Sequence, residues 1–308
     1  MIAFVFPGQG SQYVGMGKEL CDDFVIARNT FEEANDSLSF NLSALCFEGE
    51  QSELSLTANA QPALLTTSIA CLRVLQSETS LNPDFVAGHS LGEYTALVAN
   101  GVFKLSDAVN VVRKRGEFMQ EAVPVGVGAM AAILGLDKEK VEDICKQVSQ
   151  NELIASPANL NAPGQTVISG NTEAIEEAST IAKEQGAKRV VALDVSAPFH
   201  CALMKPAADR LSGVLNEVNI AQMNTPLVAN CTASVTNDSS KVKELLITQV
   251  TSPVRWYESV EVLKNQGCNR FIEIGPKNVL SGLIKRTLSD VSVSNFEKMS
   301  QLESINNG

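Results

Sequence analysis

The chain has 308 residues, 44% of them hydrophobic and 19% charged, a composition that excludes disordered and fibrous classes and allows a sizeable core. With 24 basic and 35 acidic residues the formal net charge is −11, which argues against a nucleic-acid backbone as partner. Seven scattered cysteines without a CxxC pair point to reduced thiols rather than a disulfide framework, and with no basic leader or bilayer-length apolar run a soluble cytoplasmic protein is expected, with no membrane partner.

Ile2 to Phe6 reads as a buried strand, stopped at Pro7-Gly8-Gln9-Gly10. Helical spacing follows, notably over Pro62 to Gln76. Phe85-Val86-Ala87 is a short strand, and Leu91 to Ala99 a helix with Gly101 as its stop. Ser106 to Ala122 is a further helix, opened by a Ser-Asp cap signal. The middle of the chain then changes character. Gly128 to Leu136 reads as a strand and Lys138 to Gln150 as a helix. Two extended pieces flank Pro163-Gly164 within Asn159 to Gly170, Thr172 to Gly186 is helical, and Arg189 to Val195 is a strand. This β-α-β-β-α-β order is the ferredoxin-like signature and predicts an inserted small subdomain at 126–196. Beyond it come helices near 204–218, 239–250 and 253–266, a strand at Arg270-Phe271-Ile272-Glu273, and a last helix after Gly275-Pro276. The alternation predicts an α/β fold with a mainly parallel core made of 1–125 and 197–308.

Gly88-His89-Ser90-Leu91-Gly92 fits G-x-S-x-G between a strand and a helix. In that setting a sharp turn exposes the serine hydroxyl, and the Leu91 N–H together with the helix N-terminus faces a developing oxyanion. The bland alternative is a chance Gly-Ser turn. A serine needs a base, and the chain has two histidines, His89 and His200. Side chains adjacent in an extended segment point to opposite sides, so His89 is expected to support the elbow and His200 to be the base. No acid announces itself as a third member. Asp194 is near His200 in sequence, in a strand of unsettled orientation.

Arg115 has Val111, Val112, Phe118 and Met119 three and four residues away, so it projects from the inward stripe of its helix. A buried cation needs a carboxylate. That carboxylate is either an internal Asp or Glu, or belongs to a ligand gripped by the guanidinium fork.

With these residues in place, the sequence resembles the malonyl-CoA:acyl carrier protein transacylases nearly end to end. The resemblance is carried by Phe6-Pro7-Gly8-Gln9-Gly10-Ser11-Gln12, by Gly88 through Glu93, and by Arg115-Gly116 with Met119-Gln120. It continues through Asn161 with Pro163-Gly164-Gln165, His200, Gln249 with Ser252-Pro253-Val254-Arg255-Trp256, and Glu273-Ile274-Gly275-Pro276. It implies an α/β-hydrolase-like large subdomain carrying the ferredoxin-like one. Ser90 would carry the acyl group and His200 would activate it, oriented by the backbone carbonyl of Gln249 in place of an acid. The N–H groups of Gln9 and Leu91 would form the oxyanion hole, and Arg115 would hold the malonyl carboxylate. Malonyl-CoA and acyl carrier protein are the implied substrate and partner, with no metal or bound cofactor and a monomeric state.

Two departures stand out. Ser196-Ala197-Pro198-Phe199-His200 has Phe199 where some relatives have serine, as in malonyl-selective members, and Lys277-Asn278 replaces a glycine-containing pair. Lys188-Arg189 and Lys285-Arg286 are candidate docking residues for an acidic carrier protein, or ordinary surface charge. Competing readings are a serine esterase or thioesterase, a silent carrier-docking subunit, and a trans-acting acyltransferase of a polyketide or polyunsaturated fatty acid synthase.

Overall fold

A computed structural model describes residues 1–195 and 197–306, so Ser196, at the expected subdomain boundary, lies outside the described residues. The first strand, β1 (Ile2–Phe6), is followed by α1 (Lys18–Asp23), α2 (Val25–Leu38), α3 (Leu42–Glu48), α4 (Gln51–Ser55) and the long α5 (Thr57–Glu78). Next come β2 (Phe85–Gly88), α6 (Leu91–Ala99) and α7 (Leu105–Glu121). The middle section is β3 (Gly128–Leu134), α8 (Lys138–Val148), β4 (Ala155–Ala162), β5 (Gln165–Asn171), α9 (Thr172–Glu184) and β6 (Arg189–Ala192). The remainder is α10 (Lys205–Glu217), β7 (Leu227–Ala229), β8 (Ser234–Thr236), α11 (Val242–Thr251), α12 (Trp256–Asn265), β9 (Arg270–Ile274), α13 (Val279–Thr287), β10 (Ser292–Phe296) and α14 (Leu302–Asn306).

Two sheets organise these elements. The larger runs β10-β9-β1-β2-β7-β8 and is parallel throughout except for β8, which pairs antiparallel with β7. Its central strand β1 has Ala3, Val5 on one face and Phe4, Phe6 on the other, all buried, because helices cover both sides. The smaller sheet is antiparallel, in the order β4-β5-β3-β6. The apolar stripes of α8 (Val141, Ile144, Cys145, Val148) and α9 (Ala174, Ile175, Ala178, Ala182) close a core of their own against Ile133 and Ile168.

Three local expectations are corrected. The helix expected from Pro62 already begins at Thr57, its first turn closed by the N–H groups of Asn59 and Ala60 on the Leu56 carbonyl (both 2.8 Å). Pro62 is the sixth residue of this helix and cannot donate to the Ala58 carbonyl, a lost bond that the buried packing around it tolerates. The Ser106-Asp107 cap is not formed. Lys104 is the N-cap residue, without a side-chain cap bond, and Asp107 stands in the first turn where its charge meets the helix dipole. Pro253 to Arg255 are not helical. Val254 instead pairs with β4, its N–H on the Ala158 carbonyl (2.8 Å) and its carbonyl receiving the Leu160 N–H (2.9 Å), which ties the two sheets together beside the site.

No described helix is long and apolar enough to cross a membrane. All seven cysteines are free, and Cys231 alone among them is not fully buried.

Candidate active site

The turn between β2 and α6 is a true elbow. Ser90 sits there with φ 53° and ψ −105°, a conformation uncommon for a non-glycine residue and held by its surroundings. A Cβ on Gly88 would lie 2.0 Å from the Gly92 carbonyl carbon, and one on Gly92 would lie 2.1 Å from the Phe6 oxygen. Both glycines of the motif are therefore required by close backbone approach, with negative φ at each.

Ser90 Oγ lies 2.7 Å from His200 Nε2, and His200 Nδ1 lies 2.9 Å from the Gln249 carbonyl oxygen. A carbonyl can only accept, so Nδ1 carries the proton and Nε2 presents its lone pair to the serine. His200 is 4% exposed. Burial first, and the nearby Arg115 charge second, push its pKa down to about 3, so the ring is neutral at pH 7. Asp194 lines the cavity but bonds to neither histidine nitrogen; the place of a third acidic member is taken by the Gln249 carbonyl.

His89 faces away from the nucleophile. Its Nε2 is 2.8 Å from Asn161 Oδ1, and its ring packs at 5.8 Å on Trp256, so it braces the elbow against β4 and α12.

Arg115 is 2% exposed at the inner face of α7. Its Nη1 donates to Gln61 Oε1 (2.7 Å), and its Nη2 donates to both Ser90 Oγ and Gln249 Oε1 (3.0 Å each). The guanidinium also lies 5.3 Å over the Tyr94 ring, while Nε has no partner. Among the described residues no Asp or Glu comes within ion-pairing distance of Arg115. Burial lowers its pKa, opposed by Tyr94 and Glu93. A guanidinium nevertheless stays charged.

Gln9 follows β1 in an exposed turn, and Leu91 is the first residue of α6. Both line a cavity of about 490 Å³ together with Ser90, Arg115, His200 and Phe199. Neither backbone N–H has an acceptor among the described residues, so both are available to a ligand oxygen.

Three contributors carried no role in the sequence. Asn230, just past β7, accepts the Ser90 N–H on Oδ1 (2.7 Å) and donates Nδ2 to the Gly88 carbonyl (2.7 Å), clamping the elbow from both sides. Gln61 of α5 holds the guanidinium. Glu93, buried one turn past Ser90, accepts from the Asn230 N–H (3.0 Å) and from Gln249 Nε2 (2.8 Å). Glu93 stood within the quoted motif and could have been questioned as an acid on a helix otherwise buried; Asn230 gave no signal. No group of three His, Cys, Asp or Glu suited to a metal ion occurs among the described residues.

The family model for the acyl transferase domain matches residues 3–305. The malonyl CoA-acyl carrier protein transacylase of Bacillus subtilis is 53% identical over 299 residues, covering 96% of this chain and 94% of that protein. The acyl carrier protein S-malonyltransferase of Vibrio cholerae superposes with a TM-score of 0.96 at 44% identity, covering 99% of each chain. A malonyl-transacylase solved in complex with its type II PKS acyl-carrier protein superposes equally well, TM-score 0.96 at 44% identity, covering 100% of this chain and 99% of the other. Likeness of this extent makes the chain a member of the acyl transferase domain family and, within it, of the malonyl-CoA:acyl carrier protein transacylases.

Proposed function

We propose that the protein transfers a malonyl group from malonyl-CoA to the phosphopantetheine thiol of acyl carrier protein, through an ester on Ser90. The observation that carries this reading is Arg115, a buried cation 3.0 Å from Ser90 Oγ with no carboxylate among the described residues within ion-pairing distance. An acyl group ending in a carboxylate supplies the missing partner; an acetyl group leaves the guanidinium as it is.

Acylation proceeds by transfer of the Ser90 proton to His200 Nε2 as Oγ attacks the thioester carbonyl. The Gln249 carbonyl holds Nδ1–H and favours the imidazolium that forms. The N–H groups of Gln9 and Leu91 receive the oxyanion, a contribution of about 3–4 kcal/mol for a single donor. Collapse breaks the C–S bond, His200 returns the proton to sulfur, and CoA leaves. The carrier thiol then repeats the sequence in reverse. Binding of a carboxylate at Arg115 also removes the second cause of the depressed His200 pKa, so the base strengthens when the right substrate is present.

The sheets support a division into an α/β-hydrolase-like subdomain, 1–125 and 197–308, and a ferredoxin-like one, 126–196. The β-α-β-β-α-β order with sheet order β4-β5-β3-β6 carries the second part. Lys188-Arg189 at the start of β6 and Lys285-Arg286 at the end of α13 are the proposed contacts for the acidic carrier protein, and the protein is proposed to act as a cytoplasmic monomer without a bound cofactor or metal.

Intact-mass measurement after mixing with malonyl-CoA tests the reading. A malonyl adduct that requires Ser90 and discharges onto carrier protein is expected. Free malonate and CoA without an adduct would make the protein a hydrolase instead.

A further inference from the structure

Glu93 is fully buried in the first turn of α6. Its Oε2 takes two hydrogen bonds, from the Asn230 N–H and Gln249 Nε2, whereas its Oε1 is buried with none. A half-satisfied carboxylate is expensive to hold as an anion. Burial raises its pKa to about 7, against the Asn230 and Gln249 hydrogen bonds and the Arg115 charge, which lower it.

Arg115 has the converse deficiency, a buried positive charge without an ion-pair partner among the described residues. One side-chain amide stands between the two. Gln249 Oε1 accepts from Arg115 Nη2 (3.0 Å), and its Nε2 donates to Glu93 Oε2 (2.8 Å). The amide is oriented by both charges and transmits each to the other.

We infer that Glu93 is the resident counter-charge of Arg115 in the unloaded enzyme, positioning Gln249 between them, and that it takes up one proton when the carboxylate of the acyl group on Ser90 pairs with Arg115. The inference rests on the malonyl ester proposed above. Acylation itself exchanges no proton with solvent: a C–S bond breaks, a C–O bond to Oγ forms, and the serine proton ends on the CoA sulfur. The arriving carboxylate adds one negative charge beside a balanced buried pair. A proton from solvent on the Glu93 carboxyl restores one cation to one anion, and Oε1, which receives no hydrogen bond, is the oxygen that carries it.

Among the described residues, the groups facing Glu93 leave no other candidate for this titration. Arg115 comes from α7, Tyr94 from α6 itself, and Cys231 from the end of β7; burial raises the tyrosine and thiol pKa values well away from neutrality. His200 is held neutral from a starting point near 3. The strands β1 and β2 contain no titratable side chain, α11 presents Gln249, and α5 presents neutral Gln61, with Cys71, Arg73 and Glu78 at least about 15 Å further along its axis.

The test counts protons and adducts together. Enzyme is mixed with malonyl-CoA in weakly buffered solution containing an indicator dye, and adduct is quantified by intact mass. Uptake of about half a proton per adduct is expected at pH 7.5, falling towards zero at pH 6, where Glu93 is already protonated. E93Q, which mimics the protonated acid, should form the adduct without the uptake. Adduct formation with no uptake at pH 7.5, or equal uptake in E93Q, overturns the inference. If E93Q does not fold, the pH series decides alone: uptake undiminished at pH 6 overturns it. Absence of any adduct in the wild-type protein overturns the malonyl reading and this inference with it, and the mass spectrum tells the two failures apart.

Discussion

Arg115 Nη2 and Ser90 Oγ are 3.0 Å apart, so the buried cation donates to the same hydroxyl that contacts His200 at 2.7 Å. The guanidinium occupies a lone pair of the serine oxygen and leaves the hydroxyl proton directed at Nε2. In that state the nucleophile is restrained. A ligand carboxylate competes for Nη2, and in binding it frees the lone pair with which Oγ attacks. In the proposed reaction one arginine therefore both reads the substrate and releases the nucleophile.

Arg115→Ala should lower the rate of malonyl-serine formation about 100-fold or more, the value of a bidentate charge-assisted contact. Acetyl-serine formation should fall far less, since acetyl has no carboxylate to lose. Rates of adduct formation from the two CoA esters check this. Equal losses would mean that Arg115 acts on the serine alone.

Arg115→Met should cost about 2–4 kcal/mol of stability, the scale of buried polar groups left without a partner. The methionine leaves the buried acceptors Gln61 Oε1 and Gln249 Oε1 without their donor and removes the charge that faces Glu93 through Gln249. Thermal unfolding of the two proteins decides it. Stability unchanged or raised would show that relief of desolvation outweighs these contacts.

Asn230→Ala should cost about 2–4 kcal/mol of stability, because the Ser90 N–H and Gly88 carbonyl both lose their buried partner. The rate of acylation should fall with it, since the strained Ser90 conformation is held from that side. Unfolding in denaturant and adduct kinetics give both values. Full activity with intact stability would show that the elbow is set by its glycines and not by the clamp.

The elbow, the placing of His200 beside Ser90 and the burial of Arg115 were legible because each leaves a mark in the sequence: glycines at fixed spacing, a scarce histidine, a cation on an apolar stripe. Asn230 and Gln61 were not, because their roles arise from contacts across 140 and 54 residues of chain and neither residue is unusual in its own segment. The same distinction applies to strands. Phe85-Val86-Ala87 announced itself as an apolar run before a glycine motif. Leu227–Ala229 is three residues long, too short for any period, and is a strand because β2 and β8 pair with it from either side. Ser292–Phe296 is an edge strand, and its serines and asparagine read as a loop until β9 fixes its register. Gln249 came from the family resemblance alone. Nothing in its helix distinguishes a carbonyl that orients a histidine from one that merely ends a turn.

Between about pH 4.5 and 6.5 the buried groups pull the pH dependence of stability in opposite directions. His200 and His89 have folded pKa values below the usual 6.5, both through burial. Below 6.5 the unfolded chain binds their protons and the folded one does not, so each contributes stability that is present above 6.5 and lost as the pH falls. Glu93 and Glu273 are raised by burial from 4.5 to about 7. Between those values the folded protein holds their protons and the unfolded chain does not, so each contribution is present below 4.5 and lost as the pH rises to 7. The histidine contributions rise with pH and the glutamate contributions fall, so the two pairs oppose one another where the windows overlap. Denaturant midpoints measured from pH 4 to 8 check this. In E93Q one of the falling contributions disappears, so the slope of stability against pH between about 4.5 and 6.5 should become more positive than in the wild-type protein. An unchanged profile in that variant would mean that Glu93 is ionised throughout the window, with the Arg115 field outweighing its burial.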